Sequence, residues 1–254
     1  MSLLGESKRY WGKHPIGAEV FDSEIGSREF YDKYLEYYDQ FYDYKVPTFR
    51  YEQYRGKKVL EIGCGLGIDT IKFARWGAEV TAVDLSETSV ECTRLLFGYY
   101  GLEGDIRLGD AQELAFDAAS FDVVYAYGVL MHVEDTAAAI DEMHRVLKPG
   151  GEALVVLYHC WSWYWLLVNV SGTNVESADG DPALIDVHSK RQARCMFERF
   201  SSVAIESERL PKETVRRRGL LAACCNYGFV KLFRCLPKKV ANKIGWHLIV
   251  KAAK

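Results

Sequence analysis

Residues 59–67 read VLEIGCGLG, a short apolar run that ends in glycines at 63, 65 and 67 and leads into IDTIKFARWG. Without Cβ atoms such a loop can turn tightly and let a ligand approach the backbone. A dinucleotide loop has the spacing GxGxxG and seats pyrophosphate on a helix N-terminus. Here the spacing is GxGxG, position 68 is Ile, and Glu61 stands two residues before the first glycine. A carboxylate at that place repels pyrophosphate and suits a ligand with a cationic end. No phosphate-loop lysine follows, which argues against a nucleoside triphosphate.

Two further acids close apolar runs. Asp84 ends VTAVD, seventeen residues beyond Gly67, where a carboxylate can accept both hydroxyls of a ribose. Asp110 ends IRLGD, where it can accept a hydrogen bond from an amino group such as adenine N6. Ligands of open α/β sheets bind outside the carboxyl ends of the strands, so all three acids face one crevice. An ammonium, a ribose and an adenine together describe S-adenosylmethionine.

The elements that must position these groups follow from the texture after Lys58. KVLEIG, AEVTAVD, DIRLGD, SFDVVYAYG and EALVVLYH read as strands, the last entered through a KPGG turn. Between them IDTIKFARWG is a helix closed by Gly77, SETSVECTRLLFG a helix capped by Ser86, and DTAAAIDEMHRVL an amphipathic helix capped by Asp135 with Ile140, Met143, His144 and Leu147 on one face. Strands alternating with helices make a mostly parallel sheet covered on both faces, an α/β doubly wound fold. The first 56 residues differ: they hold nine of the sixteen tyrosines, and REFYDKYLEYYDQFYDY is a helix with Phe30, Tyr34, Tyr37, Tyr38 and Phe41 at helical spacing.

With these motifs in order, the chain resembles the class I S-adenosylmethionine-dependent methyltransferases. VLEIGCGLG, VTAVDLS, LGDAQELAF, FDVVYAYGVLMHVED and RVLKPGGEALV carry the resemblance across residues 57–158, closest to the branch with the quinone-biosynthesis and other small-molecule enzymes. It implies a Rossmann-like seven-stranded sheet of order 3-2-1-4-5-7-6 with strand seven antiparallel. FSSVAIESERL and GWHLIVKAAK then supply strands six and seven, with a basic insertion over 211–244 between them. The domains implied are an N-terminal cap, 1–56, and the methyltransferase domain, 57–254. The resemblance also implies roles: Glu61 and the loop Gly63, Cys64, Gly65 and Gly67 hold the methionine moiety, and Asp84 binds the ribose with Leu85 on the adenine. Asp110 and Ala111 read the adenine edge, and Tyr127 meets the methionine end through its backbone.

Methyl transfer from a sulfonium needs a positioned acceptor and little else; a base is required only when the acceptor carries a proton. His132, in GVLMHVED after strand four, is a base, a substrate contact or a structural hydrogen-bonding residue. His159 follows strand five, and His14 and His188 could reach the crevice from a lid. Tyr10 and Trp11 either close over the cofactor, where a ring face attracts a cation, or pack on the sheet edge. Trp161, Trp163, Tyr164 and Trp165 follow strand five and form either a flat apolar acceptor pocket or a helix packed on the tyrosine helix.

Composition narrows the class. The seven cysteines include no CxxC pair, and no Cys/His cluster has zinc spacing, so they read as reduced thiols of a cytoplasmic protein and no metal is expected. ALVVLYHCWSWYWLLVNVSGTNV, 153–175, lacks any Asp, Glu, Lys or Arg, but its first third is a buried strand and the rest is too short to cross a bilayer. The net charge of −3 conceals twelve Lys/Arg against one acid in Arg209–Lys254. Those bases either solvate helices or meet an anionic surface, making 211–254 a candidate for peripheral membrane contact. YGVL stands where nucleic-acid and protein methyltransferases carry NPPY, so no nucleic-acid partner is expected. The sequence therefore describes transfer of a methyl group from S-adenosylmethionine, leaving S-adenosylhomocysteine, to a small and partly hydrophobic molecule or, alternatively, to a membrane-partitioned lipid or quinone.

Overall fold

The computed structural model describes residues 9–11, 23–171, 185–208 and 230–254. His14, Cys224, Cys225 and most of the basic insertion lie outside the described residues. One mixed sheet organises the rest. Its strands are β1 Lys58–Ile62, β2 Glu79–Asp84, β3 Asp105–Leu108, β4 Phe121–Tyr127, β5 Leu147–His159, β6 Val187–His188, β7 Ser202–Glu208 and β8 His247–Ala253. They lie in the order β3-β2-β1-β4-β5-β8-β7, with β6 beside β5. β8 runs antiparallel to both its neighbours. This is the expected seven-strand path with the two-residue β6 added, a strand too short to show a period.

Strand periodicity sorts the side chains into two layers. Leu60, Ile62, Val124, Ala126, Val155 and Leu157 join one apolar cluster, to which helix Thr136–Val146 adds Ile140, Met143 and Val146. Val59, Tyr125, Leu154, Val156 and Ile249 join the other, with Ile71 and Phe73 of α3 (Ile68–Arg75). Onto that second face packs the N-terminal aromatic segment, α1 (Arg28–Phe41) and α2 (Lys45–Phe49). Ser27 caps α1 by accepting the Phe30 amide at 3.1 Å. Its buried face is Phe30, Tyr31, Tyr34, Leu35 and Tyr38. Tyr37 and Phe41, expected on that face, stack on each other at its margin, 5.4 Å between centroids.

Two smaller expectations are corrected. KPGG is no separate turn: β5 begins at Leu147 opposite Phe121, and the ladder shifts register before Val123 meets Glu152. The left-handed Gly150, φ 76°, absorbs the extra residues as a bulge. On helix Thr136–Val146, Ala139 and Val146 complete the buried face, while His144 is only half-buried and Leu147 already belongs to β5. Among the described residues no helix is long and apolar enough to cross a membrane. Ala153 to Leu157 are fully buried within β5.

Between the aromatic segment and the sheet lies a buried ion pair. The Lys45 side chain is fully buried and pairs with Asp69 of α3, which is 5% exposed. Asp69 also accepts hydrogen bonds from Tyr51 (2.8 Å), Tyr38 (3.1 Å) and Tyr125 (3.1 Å). Burial pushes the Lys45 ammonium down to about 8 against the upward pull of Asp69. Burial alone would raise Asp69, but Lys45 and Lys72 hold it below the usual carboxylate range. Removing one member strands the other in an apolar setting. Asp69→Asn is therefore expected to lower unfolding free energy by about 3–5 kcal/mol in urea denaturation, and adding Lys45→Met to recover at least half of it.

Candidate functional site

The glycine loop leaves β1, which pairs in parallel with β2 on one side and β4 on the other. The loop thus emerges at the carboxyl edge between the ends of those two strands. Gly63, Gly65 and Gly67 all have positive φ, 72°, 53° and 78°. The first and last are held by contact. A Cβ on Gly63 would lie 2.3 Å from Val129 Cγ2, and one on Gly67 2.8 Å from Thr93 Cγ2. A Cβ on Gly65 would meet nothing within 4 Å. The open glycine is the one that faces space at the strand edge, where a ligand can reach the backbone.

Asp84 closes the loop against β2. Its Oδ2 accepts the Gly65 amide at 2.9 Å and its Oδ1 accepts the Ser86 amide at 2.9 Å. Burial raises the Asp84 carboxyl, while the bonds from Ser86 and Gly65 pull it back. Leu85 beside it is half-buried. Cys64 is a buried loop thiol, pushed up by its burial, with the Thr93 hydroxyl 3.5 Å from its sulfur, so it is a packing residue and not a nucleophile.

The other two acids differ from each other. Glu61 is 4% exposed and accepts the Thr70 hydroxyl; burial, with Asp69 nearby, pushes its carboxyl well above the ordinary range. Asp110 lies past β3 and is held by Gln112, whose amide (2.9 Å) and side-chain nitrogen (3.2 Å) donate to its Oδ1. Gln112 Oε1 in turn accepts the Asp135 amide at 2.8 Å, which ties this loop to the start of the helix after β4. Ala111 is buried between them.

Aromatic and imidazole rings from separate segments converge at the same edge. Trp11 stands edge-on to His132 at 4.9 Å and to Tyr10 at 5.0 Å; His132 meets Tyr158 at 6.2 Å. Tyr158 stacks on Trp246 (4.4 Å) and on His247 (5.8 Å). Trp163, Tyr164 and Trp165 pack on this group, Tyr164 at 4.8 Å from Trp246. Trp161 does not: Ser162 caps the helix Trp163–Ser171 by accepting the Trp165 amide at 3.1 Å, so Trp161 precedes the helix and is 73% exposed. His159 is 3% exposed and donates from Nδ1 to the Gly245 carbonyl at 3.0 Å, and burial lowers its pKa, which makes it a neutral structural imidazole. His188 is the β6 partner of His159 in the ladder. Burial lowers its pKa as well.

Tyr127, expected to act through its backbone, brings its side chain too: its hydroxyl lies 2.7 Å from that of Tyr44 and 3.0 Å from His247 Nδ1. Sequence reasoning passed over Tyr44, Lys45, Asp69, Tyr158, Trp246 and His247. One signal was available for His247. A strand antiparallel to its neighbours starts at the edge where the parallel strands end, so the first residue of β8 belongs to the crevice.

Residues 60–155 match the model of a family described as a methyltransferase domain. This segment is a methyltransferase domain. The motif order, the glycine loop and the sheet path agree with what the resemblance to the class I S-adenosylmethionine-dependent methyltransferases implies. Over 101 residues the chain is 41% identical to the ubiquinone biosynthesis O-methyltransferase of Pseudomonas aeruginosa (strain UCBPP-PA14), which is 39% of this chain and 44% of that protein. The chain therefore matches less than half the length of that curated relative. Among solved structures, the PH0226 protein from Pyrococcus horikoshii OT3 superposes with a TM-score of 0.60 at 17% identity, covering 95% of this chain and 97% of that one. A SAM dependent methyltransferase from Aquifex aeolicus gives 0.53 at 13% identity, covering 87% of this chain and 97% of the other. Both show the methyltransferase domain's fold.

The three glycines separate fold from ligand binding. Gly65→Ala is expected to cost about 1–2 kcal/mol of stability, from its left-handed φ alone, yet to weaken S-adenosylmethionine binding more than tenfold. Gly63→Ala, driven into Val129, is expected to destabilise the fold by more than Gly65→Ala does in the same thermal-denaturation assay.

Proposed function

We propose that this protein transfers the methyl group of S-adenosylmethionine to a small, partly hydrophobic acceptor by in-line displacement. The observation that carries the reading is the cradle made by Gly65, open on its ligand side, and the Asp84 carboxylate bonded to it. Its donor set fits the cofactor. Backbone without a Cβ suits the methionine portion, and an acid at the end of β2 suits a ribose diol. When bound, S-adenosylmethionine supplies both the electrophilic methyl and its own leaving group.

The chain's task is then to bind, orient and exclude water. Glu61 and the loop Gly63–Gly67 take the methionine end, Asp84 and Leu85 the ribose and adenine, and Asp110 with Ala111 the adenine edge. Burial has raised the Glu61 carboxyl, and a cofactor ammonium brought near would draw it back toward ionisation. Trp11 over His132 closes the crevice from the N-terminal side, where a ring face favours a sulfonium. Trp163, Tyr164, Trp165 and Trp246 give the acceptor a flat apolar wall. His132, 8% exposed and in contact with Trp11 and Tyr158, is on this reading the imidazole that meets the acceptor.

A second reading has support of its own: the acceptor is a membrane-partitioned quinone or lipid. The relatives named for ubiquinone biosynthesis favour it, as do the twelve bases of Arg209–Lys254. Co-sedimentation with vesicles containing anionic lipid, abolished by high salt, is its expected signature; no sedimentation at low salt contradicts it.

The primary reading is tested by incubating the protein with methyl-labelled S-adenosylmethionine and a panel of phenolic, amine and quinol acceptors. Label in an extractable product, with S-adenosylhomocysteine formed, is expected. Asp84→Ala should raise the Kd for S-adenosylmethionine roughly 100-fold, the loss of about 3 kcal/mol of hydrogen bonding to a charged group. An unchanged Kd removes the ribose role from Asp84.

A further inference from the structure

Three polar groups from distant parts of the chain meet beside the β4 end. Tyr44 comes from the segment before α2, Tyr127 from the last residue of β4, and His247 from the first residue of β8. Tyr44 Oη lies 2.5 Å from His247 Nδ1 and 2.7 Å from Tyr127 Oη, whereas Tyr127 Oη lies 3.0 Å from His247 Nδ1. The two short legs share Tyr44, so Tyr44 is the middle link. Two phenols supply two protons, and an imidazole Nδ1 accepts one when its proton is on Nε2. The chain Tyr127 to Tyr44 to His247 Nδ1 uses every one of these.

Exposure gives the chain a direction. His247 is 1% exposed and Tyr44 8%, while Tyr127 is half-buried. Tyr127 stands two residues before Val129, whose methyls fill the place a Cβ on Gly63 would take, so its backbone adjoins the glycine loop while its hydroxyl reaches toward His247. Lys45 Nζ lies 3.2 Å from the centre of the Tyr127 ring. A cation over that face eases negative charge on the phenol oxygen. Tyr158 stacks on His247 with ring planes 16° apart, which fixes the imidazole.

We infer that Tyr127, Tyr44 and His247 form a proton relay that accepts the proton of an acceptor hydroxyl during methyl transfer, making the acceptor a phenol or enol. This rests on the proposed methyltransferase reading and adds the acceptor atom to it. As the acceptor oxygen bonds to the methyl carbon, the carbon–sulfur bond breaks and its electron pair stays on sulfur. The acceptor's proton goes to Tyr127 Oη, the Tyr127 proton to Tyr44 Oη, and the Tyr44 proton to His247 Nδ1, leaving a buried imidazolium whose Nδ1 proton returns along the same chain and leaves to solvent from the half-buried Tyr127 once the product departs. Tyr127 is the member that touches the acceptor; Tyr44 and His247 act through it.

Two acceptors that differ in acidity test the relay. Near neutral pH 4-nitrocatechol is largely ionised and needs no base, whereas 4-methylcatechol keeps its proton. Tyr44→Phe and His247→Gln are each expected to slow methylation of 4-methylcatechol roughly 100-fold, the range of general-base effects, and that of 4-nitrocatechol less than threefold. A merely structural role slows both alike, and equal losses on the two acceptors, or no loss on either, overturn the relay. Nitrogen-15 NMR of the imidazole supplies a reading that needs no turnover. Nε2–H with an unprotonated Nδ1 is expected, and an Nδ1–H tautomer overturns the relay whichever catechol is methylated. If the wild-type protein binds S-adenosylmethionine but methylates neither catechol, the hydroxyl acceptor is overturned and the cofactor reading stands. If it binds no S-adenosylmethionine, the function beneath the proposal falls.

Discussion

The hydrogen bond from the Gly65 amide to the Asp84 carboxylate, with those from the Gly63 and Cys64 amides to the Val83 carbonyl (2.7 and 3.2 Å), joins the loop after β1 to the end of β2. Much of the site follows from it. Gly65 presents its amide to Asp84 from a left-handed conformation, and Gly63 and Gly67 are pressed against Val129 and Thr93 so closely that neither admits a side chain. The same contacts place the loop after β4 beside the glycine loop. The glycine loop, Asp84 and Tyr127 therefore come from three strands but are fixed by one local geometry, at the edge where an open α/β sheet binds its ligands.

The second constraint is charge in an apolar place. Lys45 and Asp69, with Tyr38, Tyr51 and Tyr125, fix the N-terminal aromatic segment to the face of the sheet that also carries Glu61, Tyr127 and His247. A buried pair of this kind adds little net stability compared with well-packed apolar residues, but it strongly disfavours arrangements that part its members. It thereby sets where Tyr44, one residue before Lys45, can lie. The segment that caps the sheet and the residue that links Tyr127 to His247 are positioned by the same ion pair. Binding and proton handling thus share a support, and a substitution at Asp69 reaches the acceptor end without touching it.

How much of this was legible beforehand depended on the range of the interaction. Strands β1 to β4 announced themselves as runs ending in Gly or Asp and β5 as an apolar run ending in His159, and caps such as Ser86 and Asp135 were visible because their partners lie three residues away. The acids Glu61, Asp84 and Asp110 stood out by their places near strand ends. Lys45 and His247 were not, because their partners are 24 and 203 residues distant, and nothing local distinguishes a buried lysine from a solvated one. The tryptophan run stood out by its composition, yet Trp161 could not be told from its neighbours until Ser162 set where the helix starts. KPGG has the composition of a turn, and only its partner strand makes it a bulge in a ladder.

The central claim is that the Gly65–Asp84 cradle holds S-adenosylmethionine. Calorimetric titration of the 254-residue chain with S-adenosylmethionine, S-adenosylhomocysteine and NAD tests it most directly. One-to-one binding of the first two, with no heat from NAD, is the expected result. Binding of NAD with none of S-adenosylmethionine would contradict the account.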